Sequence, residues 1–192
     1  MIALLMFLAL PIREFPAKKA SDTFAIILSG DGGWRRIDKQ LTRELNEHGI
    51  SVVGFDTPAY RRHHGTPDVL EQIIRDYRTK WARPRVILIG YSRGADVLPF
   101  MVSRITDKSG IELIALLGIE STADLHREVE KLRGQRILCV YGAREKDSLC
   151  PLLDPALATP LKMKGGHHFA GNYKAIAEEI VGRVLRPAKP AG

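Results

Sequence analysis

Three short stretches carry side chains able to do nucleophilic chemistry. Residues 90–94 read Gly-Tyr-Ser-Arg-Gly, a G-x-S-x-G pattern that follows the apolar run Val-Ile-Leu-Ile and precedes a helical pattern. In that context the glycines allow a sharp strand-to-helix turn, which lifts the Ser92 hydroxyl above the sheet. The following helix aims its free N–H groups at developing negative charge. The second stretch, GAREKDSLCP (142–151), brings Glu145 and Asp147, and the third, GGHHFAG (165–171), brings His167 and His168. A serine hydroxyl needs a base to become a nucleophile, and the base needs an acid to orient it. The chain order serine, acid, histidine is that of hydrolases built on an α/β sheet. Asp147 is the expected acid, because a short carboxylate on a tight loop suits a rigid role. Glu145 is the runner-up, and Glu120, from the preceding loop, is third. Adjacent residues of an extended segment point to opposite sides, so at most one of the two histidines is expected to face Ser92.

Supporting groups lie on neighbouring loops. SGDGGWRR (29–36) follows an apolar strand pattern, and its glycines let the main chain approach a substrate closely. The N–H of Asp31 or Gly32, with that of Arg93, is expected to form an oxyanion hole. A phosphate-cradling loop is disfavoured, since neither G-x-x-x-x-G-K-[ST] nor G-x-G-x-x-G is present. Tyr91, Trp34, Arg61 and Arg62 fall on the same active edge and are candidate substrate-binding residues. The arginines sit in PAYRRHHG (58–65), which reads equally as a solvated basic loop. Cys139 and Cys150 bracket the candidate acid. They would pair in an oxidising compartment and contribute roughly 3 kcal/mol by loop closure, or stay reduced in a cytosol. The six histidines form no metal-binding pattern, and neither metal nor cofactor is expected.

The elements that must position these loops follow from periodicity. Strand patterns occupy 23–30, 50–55, 85–90, 111–119 and 136–141, with a weaker edge strand at 158–164. Helical patterns span 37–48, 66–81 with Thr66 as cap, 95–105 around Pro99, and 172–185 capped by Asn172. Strands without polar alternation, interleaved with helices, predict an α/β domain: a mostly parallel sheet with helices on both faces. Ligands then bind beyond the carboxyl ends of the strands. The length of 192 residues suits one domain, expected over 11–186. An apolar segment at 1–10 precedes it and reads as a signal remnant or a short element, and a flexible tail at 187–192 follows. The net charge of +7 favours an anionic partner such as a lipid surface. No basic run with interleaved aromatics occurs, so nucleic acid is not expected. Sequence gives no oligomeric state.

Taken together, ILSGDGGWRRIDKQ, GYSRGADVLPF, YGAREKDSLCP and GGHHFAGNY resemble the VirJ/AcvB group of bacterial virulence proteins, in the α/β-hydrolase superfamily, over about residues 11–185. The chain resembles the single-domain members, or the C-terminal domain of the longer ones, and the resemblance implies an α/β-hydrolase of the periplasm of Gram-negative bacteria. It further implies a serine esterase acting on the aminoacyl ester of aminoacyl-phosphatidylglycerol, such as the lysyl ester, with links to virulence and type IV secretion partners. By motif, the nucleophile is Ser92, the acid Asp147 and the base His168, the histidine directly before Phe169. Arg93 departs from the pattern as a bulky cation beside the nucleophile. Two other expectations stand beside the lipid esterase: a non-catalytic hydrolase-fold binding module for secretion partners, and an esterase or thioesterase for small substrates.

Overall fold

The computed structural model describes residues 10–19, 21–62 and 68–185, with backbone only for Arg61 and Arg62. The expected signal remnant (apart from Leu10), the Thr66 cap and the 187–192 tail lie outside the described residues. Strands β1 (Ile12–Phe15), β2 (Thr23–Leu28), β3 (Ser51–Phe55), β4 (Arg85–Tyr91), β5 (Ile111–Leu117), β6 (Ile137–Gly142) and β7 (Thr159–Met163) form one sheet in the order β1-β3-β2-β4-β5-β6-β7. All pairings are parallel except β1 on β3. Every residue of β2 and β3 is buried, as the unbroken apolar runs require of strands covered on both faces. Helices α1 (Arg36–Glu47), α2 (Thr57–Arg62), α3 (Val69–Trp81), α4 (Arg93–Ser103), α5 (Ala123–Glu130) and α6 (Tyr173–Leu185) flank it. One core layer joins α3, α4 and α5 to the sheet; the other is built from α1 and α6.

The chain leaves β2 for β3 on one side and returns for β4 on the other. This makes the gap between β2 and β4 the switch point where the carboxyl ends open a crevice. Three elements were not visible in the periodicity. β1 is four residues between two prolines, and α2 is a single short helix. α5 buries only Leu125 and Val129 among its apolar residues, and its start is fixed by Thr122, whose hydroxyl accepts the Leu125 N–H at 3.2 Å. α4 begins at Arg93, directly after the serine, and runs through Pro99. Asn172 precedes α6 as expected: its carbonyl accepts the Ile176 N–H at 3.3 Å. Its side chain turns back to the Phe169 carbonyl instead of capping the helix N–H groups.

The cysteines are paired. Cys139 in β6 and Cys150 in the turn beyond it are joined with Cα atoms 5.3 Å apart. A stable disulfide is characteristic of an oxidising compartment. Among the described residues, no helix is long and apolar enough to cross a membrane.

One buried carboxyl stands out in α1. Asp38 is fully buried; one oxygen accepts the Arg35 N–H at 2.8 Å, while the other has no partner. Burial pushes its pKa up from 3.8 to about 6, against the pull of the Arg35 N–H. The folded chain therefore holds a proton there that the unfolded chain has released, so stability falls as pH rises between these two values. Relative to Asp38→Asn, the parent protein is expected to lose about 2 kcal/mol of unfolding free energy between about pH 4 and pH 7. Urea denaturation of both proteins at the two pH values checks this. A constant difference would show that the carboxyl titrates normally.

Candidate active site

β4 ends at Tyr91, and Ser92 takes φ 52° and ψ −122°, a conformation costly for any residue with a Cβ. Local contacts hold it there. Its N–H donates to the Leu117 carbonyl at 2.8 Å, and its own carbonyl accepts from Ala95 at 2.7 Å and Asp96 at 3.1 Å. The turn needs bare backbone on both sides. A Cβ at Gly90 would sit 2.5 Å from the Gly94 carbonyl oxygen, and one at Gly94 would collide with the Leu28 carbonyl.

The loop after β2 runs alongside. A Cβ on Gly30 would lie 3.3 Å from that of Ser92, so this main chain lines the serine. The Gly33 N–H closes the turn onto the Gly30 carbonyl at 3.0 Å, placing Asp31 and Gly32 at its tip. The Arg93 guanidinium lies between two carboxylates, Asp31 at 3.5 Å and Asp96 at 3.4 Å. Its charge beside Ser92 is thereby offset. Asp96 also accepts the Glu120 N–H at 3.1 Å, which ties the β5 loop to α4. Burial raises the Asp96 pKa.

The histidines arrive from the far side. After β7 the chain turns through Gly165 and is anchored by Phe169, which is fully buried. His167 Nδ1 lies 2.6 Å from Glu145 Oε1. Glu145 Oε2 accepts the Gly142 N–H, and the Glu145 N–H returns to the Gly142 carbonyl at 3.0 Å, so the acid is held by its own tight turn. Its side chain is 7% exposed, whereas that of His167 is 40% exposed. His168 Nδ1 lies instead 2.7 Å from the Tyr91 hydroxyl. Burial raises the pKa of that hydroxyl, which keeps it protonated.

The expected pairing of Asp147 with His168 is therefore corrected: the structure joins Glu145 to His167. The side chain of Asp147 hydrogen-bonds neither histidine. Its main chain is drawn away, with the carbonyl accepting the Ser121 N–H at 2.7 Å beside the Glu120–Ser148 bridge. Glu145, three residues past Gly142 and one methylene longer, reaches across Gly118. The alternation argument for the histidines fails because they lie in a turn, where the two ring centroids come within 5.8 Å of each other. Glu120 and Asp147 line a cavity of about 240 Å³ with Glu145, His167 and Gly118.

The remaining candidates divide. Tyr91 is buried and its hydroxyl is engaged by His168, so it supports the histidine loop rather than lining a substrate path. Trp34 stacks on Phe15 with centroids 5.3 Å apart, and its ring fills the space above Gly54. Arg61 and Arg62 end α2, but their side chains lie outside the described residues. No cluster of three or more candidate metal ligands occurs among the described residues. Sequence reasoning missed Gly118. It has φ +65°, and a Cβ there would sit 2.8 Å from His167 Cε1 and 3.5 Å from Glu145 Oε1. Its only signal was a glycine directly after a buried strand.

Known proteins share this architecture. The model of the family described as "Bacterial virulence protein (VirJ)" matches residues 22–135 and 120–187. An α/β serine hydrolase homologue from Coxiella burnetii superposes with a TM-score of 0.68 at 16% identity, covering 91% of each chain. An esterase from Pyrococcus furiosus gives 0.67 at 13% identity, over 92% of this chain and 93% of that one. Est1E from Butyrivibrio proteoclasticus gives 0.64 at 13%, over 91% and 94%. At these identities the likeness establishes the α/β-hydrolase fold. No curated protein sequence matches the chain.

Gly118→Ala tests the packing at the centre of the site. The methyl group must displace the His167 ring, and fluorophosphonate labelling of Ser92 is expected to slow by about 100-fold in folded protein. Unchanged labelling would show that the glycine does not set the ring position.

Proposed function

The chain belongs to the VirJ family of bacterial virulence proteins, and on that premise we propose that it is a periplasmic serine esterase that hydrolyses the aminoacyl ester of aminoacyl-phosphatidylglycerol. The observation that carries the esterase reading is the 2.6 Å contact between His167 and Glu145, with the His167 ring centroid 5.4 Å from that of Tyr91, the residue before the strained Ser92. Glu145 holds His167 Nδ1, which leaves Nε2 for the Ser92 proton. Ser92 Oγ attacks the ester carbonyl as that proton moves to Nε2. Glu145 then stabilises the imidazolium. The N–H groups of Arg93 and of Asp31 or Gly32 receive the oxyanion; losing one such donor typically costs on the order of 100- to 1000-fold in rate. The proton passes from His167 to the departing phosphatidylglycerol hydroxyl. Water, deprotonated by the same histidine, then frees the amino acid from Ser92.

Two observations favour a cationic acyl group. The Arg93 charge is already offset by Asp31 and Asp96, so the nucleophile is not flanked by an uncompensated cation. The cavity beside His167 adds the carboxylates of Glu120 and Asp147, a complement to an ammonium group. The disulfide supports an extracytoplasmic site of action. The link to type IV secretion partners is part of the proposal and rests on family membership alone.

Release of lysine from lysyl-phosphatidylglycerol in mixed micelles tests the reading. Ser92→Ala should abolish turnover. His167→Ala and Glu145→Gln should lower kcat by roughly 1000-fold or more, whereas His168→Ala and Asp147→Asn should cost under about tenfold. The opposite ranking would restore the Asp147–His168 pair. Absence of fluorophosphonate labelling at Ser92 would indicate a binding module. Turnover of short-chain esters far above that of the lipid would indicate a small-substrate esterase.

A further inference from the structure

The exposed side of α1 carries a concentration of uncompensated positive charge. Arg35, Arg36 and Lys39 are exposed there, and Lys18 and Lys19 face them from the β1–β2 connection. Among the described residues, none of these five has a carboxylate within ion-pair distance; Arg43, one turn further, is shared with Glu44 and Glu47. In the opposite layer Lys80, Arg104, Arg127, Lys131 and Arg133 each have an acidic partner, while Arg75 and Arg83 have none among the described residues. Five unpaired cations are thus gathered around the start of α1 and the β1–β2 connection.

The same surface is hollow and partly apolar. Two depressions of about 690 Å³ each meet at Lys39 and Arg43. One is floored by Phe15, Pro16 and Ala17; the other begins at Trp34, whose ring stacks on Phe15. Aromatic rings and lysine stems bordering a trough, with ammonium heads above it, match the interface between acyl chains and anionic head groups. Nucleic acid or an acidic protein would complement the charge but leave the apolar floor without purpose. The trough also adjoins Gly32–Trp34 of the loop beside Ser92, so a surface bound here lies next to the active edge.

We infer that the α1 face, with Lys18, Lys19 and Lys39 around the Phe15–Trp34 trough, is a docking surface for anionic phospholipid bilayers. This deepens the lipid-ester reading and rests on it for the choice of lipid. Docking presents the active edge to esters that stay in the membrane.

The test uses Ser92→Ala protein, so that binding is read without turnover. Co-sedimentation with vesicles of phosphatidylglycerol and phosphatidylcholine is compared with phosphatidylcholine alone. Binding is expected only to the anionic vesicles, and it should weaken steeply between about 0.05 and 0.3 M salt. Each cation near an anionic surface contributes about fivefold, so adding Lys18→Ala, Lys19→Ala and Lys39→Ala should weaken binding about 100-fold. Replacing Arg75, Arg127 and Arg133 by Ala removes the same charge from the other layer and should leave binding within a few fold. Equal weakening by both triples, or no weakening by the lysine triple, overturns the docking surface. So does equal binding to neutral vesicles, or binding indifferent to salt, which is read on the protein without the triple substitution. A protein that docks as expected but whose Ser92-containing form releases no lysine defeats the esterase reading alone.

Discussion

The site depends on how closely α4 can approach β2. With no side chain at Gly94, the first turn of α4 rests directly on the Leu28 and Ser29 carbonyls, and Ser92 is forced into left-handed backbone between them. Such a conformation persists only where surrounding contacts overdetermine it. Here the main-chain bond to Leu117 and the closure onto Ala95 and Asp96 supply those contacts. Strain at one residue thus holds Ser92 at the carboxyl edge of the sheet, against Gly30 of the neighbouring loop.

Three loops converge on it by different means. The β2 loop approaches at Gly30, where a Cβ would lie 3.3 Å from that of Ser92. The β5 loop is tied through Glu120 to Asp96, and its Gly118 yields its volume to the His167 ring. The β6 loop turns tightly enough for Glu145 to hold its own Gly142 N–H as well as the histidine. Electrostatics follow the same economy. Arg93 lies between Asp31 and Asp96, so a cation next to the serine leaves little net field, while the far side of α1 keeps its positive charge.

Much of this was legible in the sequence. The apolar runs of β2 to β6 announce strands buried on both faces, and G-x-S-x-G after one of them announces the serine turn. The disulfide was legible as a possibility, and its partner choice was fixed because only two cysteines exist. What failed were choices between neighbours. Asp147 and Glu145 differ by two positions and one methylene, and the bridge between Glu120 and Ser148, which no local pattern encodes, ties the Asp147 main chain to the β5 loop while Glu145 meets His167. The two histidines sit in a turn, where the alternation of an extended segment does not apply. α5 escaped notice because eight residues with two buried apolar side chains carry too little periodicity.

The Cys139–Cys150 bond has a consequence for how such a site can diversify. It closes a ring that begins inside β6 and contains the whole acid-bearing loop. Surface loops tolerate insertions better than the elements they join. Here an insertion would enlarge the ring and loosen the tight turn by which Glu145 holds the Gly142 N–H. The segments after β2 and β3 carry no such cross-link, so their length can change without touching that turn.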